Sequence, residues 1–270
     1  MRPELKNIMK TIAIAGCGRL SGVVLDAMKM GFLPEYKLTA TYSRTYEHAV
    51  EFAAEVEGCQ PCKSIEDLIA AKPDYIVEAA SPAAMRALAI PALQAGISIV
   101  TLSIGAFADD EFYTQVSDAA LKSGARVYIA SGATGGFDVL RATALMGQAY
   151  SGAKANFFNE KGPDALRNTD VYEESLQKKS KVVFEGTASE AIAMFPTKVN
   201  VTVAASRASV GPENMKVKMR STPGFVGDTQ RVEVKNEQVR AVVDVYSATP
   251  EIAAWSVVAV LRNIVSPIVF

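Results

Sequence analysis

The sequence predicts an α/β protein in which a doubly wound parallel sheet is followed by a second, α+β domain. Three observations predict this. Short apolar runs alternate with helical patterns between residues 10 and 130, and a glycine-rich segment joins the first run to the first helix. After about residue 145 the pattern changes to strands of alternating polarity.

Taken in order, TIAIAG (11–16) reads as a buried strand broken by Gly16, and VVLDAMKM (23–30) has helical spacing. YKLTATY (36–42) is rich in β-formers, and RTYEHAVEFAAEVEG (44–58) is a helix ending at Gly58. PDYIVEAA (73–80) is a strand, and PAAMRALAIPALQAG (82–96) is a helix interrupted by Pro91. ISIVTLS (97–103), a helix near 109–123 and ARVYIAS (125–131) complete the series. Strands separated by helices of this length make βαβ units and a parallel sheet covered on both faces. In the second half, ANFFNE (155–160), KVVFEG (181–186), MKVKMRS (215–221), QRVEVKN (230–236) and QVRAVVDVYS (238–247) keep the strand period. The last two form a hairpin turning at Asn236–Glu237. Helical patterns lie at 187–195, 197–209 and 251–264, and the charged stretch 161–181 reads as a surface loop or short helix.

A chain of 270 residues is long enough for one large domain or two modest ones, and it buries a core without staples. The division expected is 1–131 and 132–270, with the last helix free to pack back on the first domain. A net charge of −1, with 21% charged residues, gives no electrostatic reason to expect nucleic acid or an anionic membrane as partner. No apolar run reaches the roughly 18–20 residues that span a bilayer. The opening MRPELKNIMK carries charge without an apolar core or cleavage site, so no secretory signal is expected. Three cysteines are an odd count in a chain too large to depend on disulfides. The expected location is the cytoplasm.

The segment Gly16-Cys17-Gly18-Arg19-Leu20-Ser21-Gly22 lies between the first strand and first helix. Gly16 permits the tight turn, and Gly18 lets the backbone approach a pyrophosphate held at the helix N-terminus. The third small position is Ser21 or Gly22, so the match to GxGxxG is imperfect; the strand before and helix after make it a Rossmann-type dinucleotide site. Arg19 and Leu20 in this loop, and Ala80 and Ser81 where the strand 73–80 ends, join the candidate cofactor-binding positions. A tight turn with no nucleotide would use the same glycines. At the end of the second strand an NAD site places an acidic residue on the ribose. Here the chain reads Thr41-Tyr42-Ser43-Arg44-Thr45, with no carboxylate until Glu47. Ser43 and Thr45 are donors for a 2′-phosphate, and Arg44 pairs with it and stacks on the adenine. NADP is the expected cofactor and NAD the alternative.

The single histidine, His48, lies on the second helix near the adenosine end, so the usual acid/base residue is missing and no His-based metal site is expected. Cys59-Gln60-Pro61-Cys62 precedes a helix start, Ser64-Ile65-Glu66-Asp67, that reads as a capping box with Asp in place of Glu. A redox or metal role for this CxxC would leave zinc two ligands short, since Cys17 belongs to the glycine loop; a core-plus-turn role suffices. Ser131-Gly132-Ala133-Thr134-Gly135-Gly136-Phe137-Asp138 follows the last parallel strand, where small residues admit a nicotinamide or small acid. Phe195-Pro196-Thr197-Lys198-Val199-Asn200-Val201 opens a helix, with Lys198 and Asn200 supplying a cation and an amide.

Together IAIAGCGRL, SPAAM, LSIGAF, SGATGGFDVL, KGPDAL and VVFEGTASEAIAMFPTKVNVTVAAS resemble the L-aspartate dehydrogenase family over essentially the whole chain. The resemblance implies a Rossmann domain, an α+β domain carrying substrate contacts and a dimer interface, and hydride transfer at the Cα of an amino acid. By position it makes Ala133 and Asn200 cofactor contacts. It also places Gln230, within Gly227-Asp228-Thr229-Gln230-Arg231-Val232, where the family has a catalytic histidine, and the family's proline-rich motif reads Asn159-Glu160-Lys161-Gly162-Pro163 here. Glutamine exchanges hydrogen bonds but takes no proton at neutral pH. Lys198 is then the ionisable catalytic candidate and Gln230 the orienting one. The expected ligands are NADP and a small amino or keto acid, in a homodimer. Two other readings share the plan: a two-domain imine or keto reductase of the dihydrodipicolinate reductase type, and a non-catalytic NADP-binding regulator.

Overall fold

The computed structural model describes residues 9–195 and 199–270, which form two compact units. Unit 1 holds the chain to Ala130 together with Ala253–Phe270, and unit 2 holds Ser131–Ile252.

Unit 1 alternates β1 (Lys10–Ala15), α1 (Arg19–Lys29), β2 (Tyr36–Tyr42), α2 (Tyr46–Ala54), β3 (Gln60–Cys62), α3 (Ile65–Ala70) and β4 (Tyr75–Glu78). It continues with α4 (Pro82–Gln94), β5 (Ser98–Thr101), α5 (Asp110–Ser123) and β6 (Val127–Ile129). The strands form a six-stranded sheet in the order β3-β2-β1-β4-β5-β6, with every pairing parallel. This is the doubly wound Rossmann order, whose direction reverses at β1. Runs such as Ile12–Ala15 and Ile76–Glu78 are buried without alternation, because both faces of the sheet are covered. Two details differ from the sequence reading. The helix α4 runs through Pro91, whose own carbonyl still accepts from the Ala95 amide, so the proline removes one bond without ending the helix. The segment Gln60–Cys62 is a short edge strand on β2, a place where a proline such as Pro61 is tolerated.

Unit 2 begins with α6 (Phe137–Tyr150), which the sequence reading left unassigned because its buried side is mostly small: Thr143, Ala144 and Gly147 beside Leu140. Then come β7 (Lys154–Lys161), β8 (Lys181–Thr187), α7 (Ala188–Met194), α8 (Asn200–Arg207), β9 (Met215–Ser221), β10 (Asp228–Lys235) and β11 (Arg240–Ser247). The sheet order is β11-β10-β7-β9-β8, with β7 and β9 parallel and the other pairs antiparallel. Alternation along β9 and β10 buries Met215, Val217, Met219, Gln230, Val232 and Val234 on one face. The hairpin connection is longer than a two-residue turn: Lys235 pairs with Arg240, and Asn236 Oδ1 accepts from the amides of Gln238 and Val239, each at 2.8 Å. The charged stretch 161–181 carries two short 3-10 turns, Pro163–Leu166 and Glu174–Gln177, pinned by buried Leu166 and Leu176.

The last helix, α9 (Glu251–Val265), places Ala254, Val257, Val258 and Leu261 in one buried cluster with Ile12, Ile14, Leu25, Leu33 and Leu38 of unit 1. The buried Tyr36 hydroxyl donates to the Leu261 carbonyl at 2.7 Å, satisfying a polar group that would otherwise be stranded in the core. Leu261 is fully buried, so Leu261→Ala is expected to lower unfolding free energy by about 2–5 kcal/mol in denaturant titration. Ile268, largely exposed, provides the contrast: Ile268→Ala stays within about 0.5 kcal/mol of the parent protein.

Candidate active site

In unit 1 the carboxyl ends of β2, β1 and β4 lie side by side, and the loops leaving them carry most of the positions singled out in the sequence. Gly16 follows β1 with φ +99°, and its amide donates to the Tyr42 carbonyl at 2.7 Å. A Cβ at Gly16 would stand 2.7 Å from Ala80 Cβ, so the loops after β1 and β4 approach closely only because Gly16 has no side chain. Gly18 caps α1 without a side-chain hydrogen bond, no acidic residue lies in the first turn, and a Cβ there would enter open space. A helix N-terminus with free approach and uncancelled partial positive charge suits a pyrophosphate. Arg19 is exposed and Leu20 half-buried at the start of α1. Ser43 is half-buried, with Arg44, Thr45 and His48 exposed, beyond β2.

A buried carboxylate, unremarked in the sequence, organises this edge. Glu78, fully buried at the end of β4, accepts five hydrogen bonds from neutral donors. The amides of Ala80 and Ser81 reach Oε1 at 2.9 and 3.1 Å, and the Ser103 hydroxyl reaches it at 2.8 Å. The Thr101 hydroxyl and the Ser103 amide reach Oε2 at 2.6 and 3.3 Å. Glu78 thus ties the loop after β4 to the loop after β5, and Ser81 in turn caps α4 by accepting from the Ala84 amide at 3.1 Å.

Unit 2 has a polar cluster at one end of its buried sheet face. Gln230 pairs with Asn159 across β10 and β7, and Asp228 pairs with Lys161. Asn159 Nδ2 donates to Asp228 Oδ1 at 2.5 Å, and Gln230 Nε2 donates to Asp228 Oδ2 at 2.7 Å. Lys161 Nζ lies 3.7 Å from Asp228 Oδ2. Burial pushes the Asp228 carboxyl above the usual carboxylate range, against the opposing pull of Lys161, Asn159 and Gln230. Among the described residues, the buried side-chain atoms left without a hydrogen-bond partner are Thr134 Oγ1, Asn159 Oδ1, Ser221 Oγ and Gln230 Oε1. All four belong to unit 2, and Ser221 pairs with Lys161 across β9 and β7.

The other expected positions in this unit are spread over its connections. Ala133 is half-buried in the loop before α6, and Asn200 is half-buried as the first residue of α8. Gly136, with φ +62°, starts α6 where a Cβ would lie 2.5 Å from Val243 Cγ2, so the helix seats directly on β11. Lys198 lies outside the described residues.

Comparison with known proteins completes the picture. The profile of the aspartate dehydrogenase C-terminal family matches residues 138–264, and that of the homoserine dehydrogenase NAD-binding domain matches residues 16–130. An L-aspartate dehydrogenase from Methanosarcina acetivorans is 32% identical over 96% of this chain and 98% of its own length. One from Methanococcus maripaludis is 30% identical over the same shares. The chain belongs to the aspartate dehydrogenase family. It is accordingly an NAD(P)-dependent oxidoreductase of the aspartate dehydrogenase type, with the nicotinamide-nucleotide fold in unit 1. The crystal structure of aspartate dehydrogenase from Thermotoga maritima shares the fold, with a TM-score of 0.74 and 24% identity over 97% of this chain and 99% of that one.

Burial pushes the Cys17 thiol up to about 12 and Cys59 up to about 11, and raises Cys62, so the buried surroundings favour thiol over thiolate. The helix after the CxxC is capped by Ser64, which accepts from the Asp67 amide at 3.1 Å. Sequence reasoning assigned no role to Glu78 or Ser221, and it named Asn159, Lys161 and Asp228 only as parts of motif segments. For these three the available signal was strand alternation, which puts 159 with 161 and 228 with 230 on one face.

Two outcomes test these networks. Glu78→Gln puts an amide donor among donors, and unfolding free energy is expected to fall by about 1–3 kcal/mol, with weaker nucleotide binding in a fluorescence titration. For Asp228, a folded pKa above the unfolded one means a contribution that is favourable at low pH and lost as pH rises through the folded value. Stability of Asp228→Asn relative to the parent is therefore expected to increase as pH climbs from below about 4, the ordinary Asp value; a difference that stays constant with pH would contradict the burial argument.

Proposed function

We propose that this enzyme transfers hydride between the nicotinamide of NADP and the Cα of a small amino acid, with L-aspartate the first candidate, as a homodimer in the cytoplasm. The observation that carries the reading is the match to L-aspartate dehydrogenases along nearly the full length of both chains. The choice of NADP is supported by the end of β2, where Ser43, Arg44 and Thr45 offer donors and a cation in place of an acidic residue. In this reading Gly16, Gly18, Arg19 and Leu20 receive the pyrophosphate, and Ser43, Arg44 and Thr45 the 2′-phosphate. Ala80, Ser81, Ala133 and Asn200 are the remaining cofactor-binding candidates.

A bound nicotinamide supplies the hydride acceptor in one direction and the donor in the other. The protein's own task is to hold the amino nitrogen, to manage its proton and to let water in or out at the imine carbon. Gln230, at the position of the family's histidine, orients the substrate without titrating. Lys198 is the candidate for the proton, and its neutral form would be favoured by desolvation. The reductive direction suits this residue set, because a protonated imine already carries its activating proton; a small imino or oxo acid with ammonia is then the natural substrate pair.

The nucleotide assignment is tested by Arg44→Ala, which is expected to raise KM for NADP about 10- to 100-fold, the loss of a charge-assisted hydrogen bond, while KM for NAD stays near the parent value. Equal effects on both nucleotides would remove Arg44 from the 2′-phosphate. For Lys198, the expected result is that Lys198→Ala loses most of kcat with nucleotide affinity retained; an unchanged kcat would reject the role.

A further inference from the structure

Two of the four unpartnered atoms of unit 2, Asn159 Oδ1 and Gln230 Oε1, have a common cause. An ionised carboxylate accepts hydrogen bonds and donates none. Asp228 therefore draws the NH2 groups of both Asn159 and Gln230 toward itself, one to each oxygen, and the Thr229 carbonyl accepts a second bond from Asn159 Nδ2 at 2.9 Å. Each carboxamide has one oxygen and one nitrogen, so fixing the nitrogen fixes the oxygen on the opposite side. Both oxygens are then left buried without a partner, in side chains only 2% and 4% exposed. A buried acceptor without a partner is unfavourable, and two carboxamides paired across neighbouring strands carry that cost at one place.

We propose that the carboxamide oxygens of Asn159 and Gln230, held in orientation by Asp228, are the acceptors for the amino nitrogen of the substrate. They receive it as ammonium or ammonia in the reductive direction and as the α-amino group in the oxidative one. The proposal rests on the reading of this chain as an enzyme acting on an amino donor, and it identifies the subsite for that donor. The chemistry selects the ligand. Two neutral oxygens backed by a carboxylate make a site rich in acceptors, which favours a group carrying several N–H donors. A substrate carboxylate placed there would meet acceptors and a negative charge. Lys161, 3.7 Å from Asp228, offsets part of that charge. Asp228 is a positioning residue in this scheme, whereas Asn159 and Gln230 touch the ligand.

The intact enzyme tests this in two arms. In the kinetic arm, ammonium KM in reductive amination is compared for the parent, Gln230→Met and Asn159→Leu, which keep size and remove the acceptor. Ammonium KM is expected to rise about 10- to 100-fold in each variant, with oxo-acid KM and reduced-nucleotide affinity within about twofold. An unchanged ammonium KM overturns the subsite. The equilibrium arm needs no turnover: the thermal midpoint is measured in ammonium chloride against sodium and potassium chloride at equal ionic strength. Ammonium-specific stabilisation is expected in the parent and absent in Asp228→Asn and Gln230→Met. Equal stabilisation by potassium, or a shift that persists in both variants, overturns the proposal. A parent that shows ammonium-specific stabilisation without reductive amination supports the subsite and rejects the reading of the reaction.

Discussion

A carboxylate accepts hydrogen bonds and never donates them, and each unit of this protein uses that one-sidedness to orient its neighbours. In unit 1 Glu78 gathers two backbone amides from the loop after β4, and a hydroxyl and an amide from Ser103 after β5, with the Thr101 hydroxyl between them. The result is a fixed edge beside the glycine loop, where Gly16 and Ala80 come within a methyl group of each other. In unit 2 Asp228 gathers two carboxamides from facing strands and turns their oxygens away. Glu78 is surrounded by enough neutral donors to satisfy a buried charge. Asp228 is satisfied too, but at the expense of the acceptors that it leaves unmatched.

The architecture around these carboxylates is what the energetics of burial require. Continuous apolar runs in β1, β4 and β5 demand cover on both faces, and α9 supplies part of it in unit 1 by returning from the end of the chain. The sheet of unit 2 alternates, so its polar cluster occupies the end of a face whose remaining positions are Val, Met, Phe and Ala. Placing Asn159, Gln230 and Asp228 there, in place of more apolar residues, gives up hydrophobic stabilisation. That sacrifice is understandable when the same positions serve chemistry.

Much of the fold was legible in the sequence because periodicity and glycine placement are local signals. The parallel series from TIAIAG to ARVYIAS, the loop from Gly16 to Gly22 and the paired strands of the second half all follow from them. The failures are equally physical. Helix α6 buries Thr143, Ala144 and Gly147 beside a single large apolar residue, Leu140, so its buried stripe announces a helix only weakly. β3 is three residues long and contains Pro61, which reads as a turn until β2 lies beside it. In unit 1 the candidate positions sit in loops after β1, β2 and β4, strands that the sequence marks out by their apolar runs. In unit 2, Gln230, Asn159 and Asp228 were visible as motif positions, but their partnership was not. Asn159 and Asp228 lie 71 and 2 residues from Gln230, and only the register of β7 against β10 brings the three together.

The most direct test of the whole account is the rate of NADPH and NADH oxidation by oxaloacetate and ammonia, measured from about pH 6 to about pH 10. The account predicts ammonia-dependent turnover, faster with NADPH, whose kcat/KM shows no inflection near 6.5, the imidazole value, since His48 is exposed on α2, beyond the end of β2. Tight NADPH binding with no ammonia-dependent oxidation at any pH would contradict it.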